Sequence, residues 1–140
     1  MISFSLKHHK DGMYYQQPHF FILNKGNNSG KVLKIPCPNC YVILFYSIED
    51  RDNMETICLT LWRAKFWHQF LMGSVIPYIR IKEFQKNLIQ KSSELMEDFE
   101  KHKKSIAALK LLETKEKQFQ ENLNLINDLR RVIIYRYIKK

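Results

Sequence analysis

Three stretches of the chain hold residue types that can do chemistry. The first is Asn24-Lys25-Gly26-Asn27-Asn28-Ser29-Gly30-Lys31, which follows the apolar run His19-Phe20-Phe21-Ile22-Leu23. Glycine and asparagine reach left-handed backbone conformations at least cost. Such a loop can turn sharply and offer bare N–H groups, side-chain amides and two lysine cations to an anion. It lacks the G-x-x-x-x-G-K-[ST] spacing of a P-loop. The expectation is contact with phosphate or base edges through Lys25, Asn27, Asn28, Ser29 and Lys31. The alternative is a tight turn whose polar side chains satisfy their own backbone.

The second stretch, Trp62-Arg63-Ala64-Lys65-Phe66-Trp67-His68, interleaves aromatics with bases. That mixture suits base stacking and phosphate contact. Read as a continuous helix, it turns Trp62 and Phe66 toward the core and leaves Arg63, Lys65 and Trp67 at the surface. Arg63 and Lys65 join the candidate nucleic-acid contacts. The third stretch, Cys37-Pro38-Asn39-Cys40, has the spacing of a zinc knuckle or a redox pair. A structural zinc needs four ligands, and no second C-x-x-C or H-x-x-x-H accompanies it. A thioredoxin-type motif opens a helix after a strand, whereas this one precedes a strand. A proline-stiffened loop is the expectation. Cys58 and His68 lie ten residues apart, so they do not share a helix face as a dyad. No catalytic residue, metal ligand set or cofactor is assigned.

These stretches need elements to hold them. Ile2 to Leu6, Phe20 to Leu23 and Val32 to Ile35 read as strands. Tyr41-Val42-Ile43-Leu44-Phe45-Tyr46 is β-branched and aromatic throughout and apolar on both faces, which predicts a central strand. Ser47 is the expected N-cap of a helix whose first turn holds Glu49 and Asp50. Its apolar positions, from Met54 through Ile57, Cys58 and Leu61 to Phe70, step by three and four, and Gly73 is its expected end. Val75 to Ile81 reads as a strand containing Pro77, which makes it an edge strand or a bulge.

From Lys82 onward there is neither glycine nor proline. Phe84, Leu88, Leu95 and Phe99 mark one amphipathic helix, with a break expected near residues 100–104, where like charges gather. Leu109, Leu112, Glu116, Phe119, Leu123, Ile126, Arg130 and Ile133 then step alternately by three and four, an a/d seam with two charged interruptions. A helix over 102–136 runs roughly 50 Å. It should pair with the preceding helix, a second copy of the chain or a partner's helices. Leu109, Leu112, Phe119, Leu123, Ile126 and Ile133 are the candidate interaction residues.

The chain has 140 residues, 45% of them apolar and 13% aromatic, which describes a folded protein with one core. The net charge of +9 is uneven. Five lysines stand against Asp11 alone in residues 1–48. A basic excess favours acidic partners, nucleic acid first and anionic membrane second. No apolar run approaches a membrane span, and the N-terminus lacks the ordering of a signal peptide. Three cysteines suit a reducing compartment. A cytoplasmic location is the expectation.

Gly26 to Lys31 after a strand, the strand and helix that follow, Gly73-Ser74-Val75-Ile76-Pro77-Tyr78-Ile79, and then long helices resemble in order the target recognition domains of type I restriction–modification specificity subunits. The P-P-L-x-E-Q helix entry of those domains is absent, and Ile81-Lys82-Glu83-Phe84-Gln85 runs straight on. The chain is also similar to a group of short proteins from Bacteroidetes genomes that share L-N-K-G-x-N-S-G and G-S-V-I-P-x-I-R-I. The restriction resemblance implies DNA recognition without catalysis, on an α/β domain bearing a helical arm through which single-domain members pair.

The expected fold is therefore α+β. Residues 1–81 form a recognition-like part with a small mixed or antiparallel sheet and one packed helix. Residues 82–140 form a helical hairpin or coiled-coil arm, packed with the first part as one structural unit. The expected partners are DNA and either a second copy or another helical protein. The expected role is non-catalytic DNA binding or, alternatively, protein interaction through the C-terminal helices.

Overall fold

The α+β fold is built on a four-stranded antiparallel sheet: β1 (Phe4–His8), β2 (His19–Leu23), β3 (Val32–Leu33) and β4 (Cys40–Phe45), in the order β1-β4-β2-β3. A computed structural model describes residues 2–139. The side chain of Phe99, expected on the first amphipathic helix, lies outside the described residues. The fold divides into two compact units, Met1–His102 and Lys103–Lys140.

β4 is paired on both edges, as its β-branched and aromatic run predicts. Period-two alternation splits its side chains. Tyr41, Ile43 and Phe45 join the main core with Phe20 and Ile22 of β2. Cys40 and Val42 face the other way and bury a smaller cluster with Phe21, against which Tyr15, Leu33, Cys37 and Leu44 pack.

α1 (Ile48–Arg63) starts where the sequence places it, because the Asp50 N–H donates to the Ser47 hydroxyl at 3.1 Å. It buries Met54, Ile57, Cys58 and Leu61 in the main core. It does not run on to Gly73. Lys65 adopts a left-handed backbone, φ 58°, and a separate 3-10 turn follows over Phe66–Phe70. A single continuous period across residues 54–70 is therefore the wrong frame, and the placement of Trp67 changes with it. Trp67 was expected at the surface but is 1% exposed, with its ring 4.4 Å from that of Phe84.

Residues 75–81 are not a continuous strand: the chain bends over residues 74–76, and isolated bridges join Tyr78 to Met72 and Lys25. Met72 and Tyr78 exchange N–H···O bonds of 2.8 and 2.9 Å. Pro77 has no N–H to give a ladder, and its carbonyl accepts the Gly26 N–H at 2.6 Å.

α2 (Ile81–Glu97) lays Phe84 and Leu88 into the core of the first unit. α2 ends at Asp98, just before the expected break, and α3 (Phe99–Ile138) begins there. At 1.5 Å per residue its 40 residues span roughly 60 Å. Among the described residues, no helix is long and apolar enough to cross a membrane.

Candidate functional site

The Gly/Asn loop is a turn whose backbone donors are largely spent within the protein. The N–H groups of Ser29, Gly30 and Lys31 donate to the carbonyls of Gly26, Leu23 and Asn28, at 3.2, 2.7 and 3.0 Å. With the Gly26 N–H given to Pro77, the expected row of bare donors is absent at these four positions. Gly26 and Gly30 hold φ of +98° and +97°, which is why glycine stands at both. Ser29 is fully buried and donates its hydroxyl to the Gly26 carbonyl at 2.6 Å. Its hydroxyl is spent inside the turn.

Gly30 has a further reason to lack a side chain. A Cβ there would stand 2.7 Å from Cγ of Trp67 and 3.0 Å from its Nε1. The turn therefore packs directly on the buried indole. Trp67 Nε1 finds no hydrogen-bond partner among the described residues.

The remaining loop residues divide between two places. Lys31 Nζ lies 5.4 Å from the centre of the Trp62 ring, and the Arg63 guanidinium lies 5.3 Å from the same ring. Two candidate contacts thus converge on one half-buried indole, and Lys65 follows in an exposed position. Asn27 and Asn28 are exposed at the tip of the turn.

Lys25 belongs elsewhere. It lines a polar cleft of about 370 Å³ with His8, His9, Asn24, Asn39, Cys40 and Tyr78. Tyr41 closes the cleft, donating its hydroxyl to the Ile79 carbonyl at 2.6 Å. Burial pushes that phenol up to about 12. The His8 ring packs edge-on against Tyr41 at 5.0 Å. His9 Nδ1 lies 3.0 Å from the Tyr15 hydroxyl.

The sequence does not point to this cleft, because its residues meet only through the antiparallel register His8↔Tyr41 and the Lys25↔Tyr78 bridge. In the C-x-x-C stretch the Cys40 thiol donates to the Cys37 carbonyl at 3.0 Å. Burial, chiefly, raises its pKa.

The second candidate surface is α3. Its seam residues Leu109, Leu112, Phe119, Leu123, Ile126 and Ile133 are all exposed, Leu109 least at 37% and Ile133 most at 66%. Apolar side chains also flank the seam, among them Leu129 and Ile134. Monomeric proteins in water rarely expose an apolar stripe of this length.

The model of a family of unknown function, DUF6943, matches residues 6–136. No curated protein and no solved structure matches the chain.

Proposed function

We propose that this chain, which belongs to DUF6943 since that match takes in most of its length, is an association module. It carries a small α+β head, and it assembles with other helices through α3 rather than catalysing a reaction. The observation that carries this reading is the exposed a/d seam of α3, from Leu109 to Ile133. Most helical stability in proteins comes from packing an amphipathic face against another element. Covering Phe119, Leu123 and Ile126 with a partner would bury apolar area worth on the order of 25 cal/mol per Å². Sedimentation of the full chain tests the reading. Assembly should be concentration-dependent, and Leu123→Lys should abolish it while leaving the near-UV signal of the buried Trp67 intact. A chain that stays monomeric at every concentration refutes it.

A second reading is nucleic-acid contact by the head, in line with the resemblance to specificity-subunit recognition domains. The convergence of Lys31 and Arg63 on Trp62 favours it. A half-buried indole flanked by cations is a stacking platform with phosphate-binding arms. Its test is a gel shift with single- and double-stranded DNA across a salt series. Binding should fall steeply with salt and weaken in Lys31→Gln and Arg63→Gln. No shift at the lowest salt excludes it.

A further inference from the structure

We infer that the partner of α3 is a second copy of this chain, running antiparallel, with the dyad near position 121. This rests on the association reading and adds to it a partner, a direction and a register. Two charges in the seam set the direction. Glu116 and Arg130 occupy equivalent seam positions two heptads apart, on a helix that is continuous over both. In a parallel dimer each meets its own copy, Glu116 against Glu116 and Arg130 against Arg130. Like charges then oppose one another in two layers of an apolar interface, where desolvation makes repulsion costly.

In the antiparallel arrangement every seam residue finds a seam residue opposite. Leu112 stands against Arg130 of the second copy, and Glu116 against Ile126 of the second copy. These two layers are neighbours, roughly 6 Å apart along the axis. Glu116 and Arg130 of the second copy are then of opposite sign and within one turn, long enough side chains to meet across the seam. Symmetry makes the contact twice. A polar pair at such positions fixes orientation and register. The basic ends do not discriminate between the two directions, since Lys103, Lys104 and Lys139 crowd other bases in either one.

The test is sedimentation equilibrium on the full chain and three variants. Glu116→Arg and Arg130→Glu each place like charges in neighbouring layers of the antiparallel dimer, and each should weaken dimerisation by roughly tenfold or more. The double variant restores the pairing with its sense reversed and should return to within a few-fold of the parent. A parallel dimer trades one like-charge layer for another, so single reversals would leave its affinity unchanged and overturn the inference while the association reading stands. A purely monomeric parent overturns both.

Lysine-to-lysine cross-linking gives an independent readout. Lys104 and Lys139 lie roughly 50 Å apart along one helix, beyond the reach of a short reagent, but they meet across an antiparallel pair. A Lys104–Lys139 cross-link confined to the dimer band supports the inference. Its absence from a cross-linked dimer refutes it.

Discussion

Replacing Gly30 by alanine tests the packing of the turn on Trp67. Two costs add at this position. The backbone sits at φ +97°, which a side chain resists by roughly 1–3 kcal/mol. The new Cβ would also press on the indole, 2.7 Å from Cγ. Neither group can retreat freely, since Trp67 is 1% exposed and packed on Phe84. Forcing atoms into a filled core costs roughly another 1–3 kcal/mol. The smaller entropy of the unfolded alanine chain returns about 0.4–1 kcal/mol. The net loss is roughly 1–6 kcal/mol, a sizeable part of a typical stability of about 5–15 kcal/mol.

Gly26 supplies the control. Its φ is +98°, nearly the same, but nothing lies within 4 Å of its Cβ position. Gly26→Ala should therefore show the backbone cost alone. The assay is urea unfolding followed by tryptophan fluorescence, with Trp67→Phe as a second background in which the excess loss at Gly30 should shrink. If Gly30→Ala costs no more than Gly26→Ala, the contact with Trp67 is not what requires glycine there.

Three further outcomes follow from the head. The Tyr41 phenol is an acid held neutral by folding. The unfolded chain ionises it near pH 10, whereas the folded one holds its proton to about 12. Stability from this group is therefore whole below about pH 10 and is lost as pH rises toward 12. Tyr41→Phe should lose stability less steeply across that window, and equal slopes would refute the assignment. Cys58 is fully buried, and burial raises its thiol above the usual range. In the native chain, alkylation followed by mass spectrometry should modify half-buried Cys37 first and Cys58 only on unfolding. Ser47→Ala removes the α1 cap and should cost about 1 kcal/mol in the same urea assay.

Local chemistry was readable from the sequence where neighbouring residues decide it. The run Tyr41 to Phe45 specifies an interior strand because both of its faces are apolar. Ser47 before Glu49 and Asp50 marks a helix start, and the alternating three- and four-residue steps beyond Leu109 mark the exposed seam. What escaped was decided by distant partners or by one unusual residue. Lys65 takes a left-handed conformation that its side chain does not advertise, and this turns Trp67 inward. Ser29 looked like a ligand group, yet Gly26 beside it supplies a carbonyl within reach of the buried hydroxyl. The expected anion cradle became a closed turn because its N–H groups found carbonyls in the turn itself and in Leu23 and Pro77. The cleft around Lys25 depends on strand register, which no short window of sequence contains. Of the candidate contacts, Lys31 and Arg63 come together because the turn and the end of α1 both border Trp62.

Association through α3 is tested most simply by the molar mass of the full chain, from light scattering across a hundredfold range of concentration, beside Leu123→Lys. The parent should rise from monomer toward dimer mass as concentration increases, while the variant remains a folded monomer throughout. A parent that stays monomeric over the whole range would contradict it.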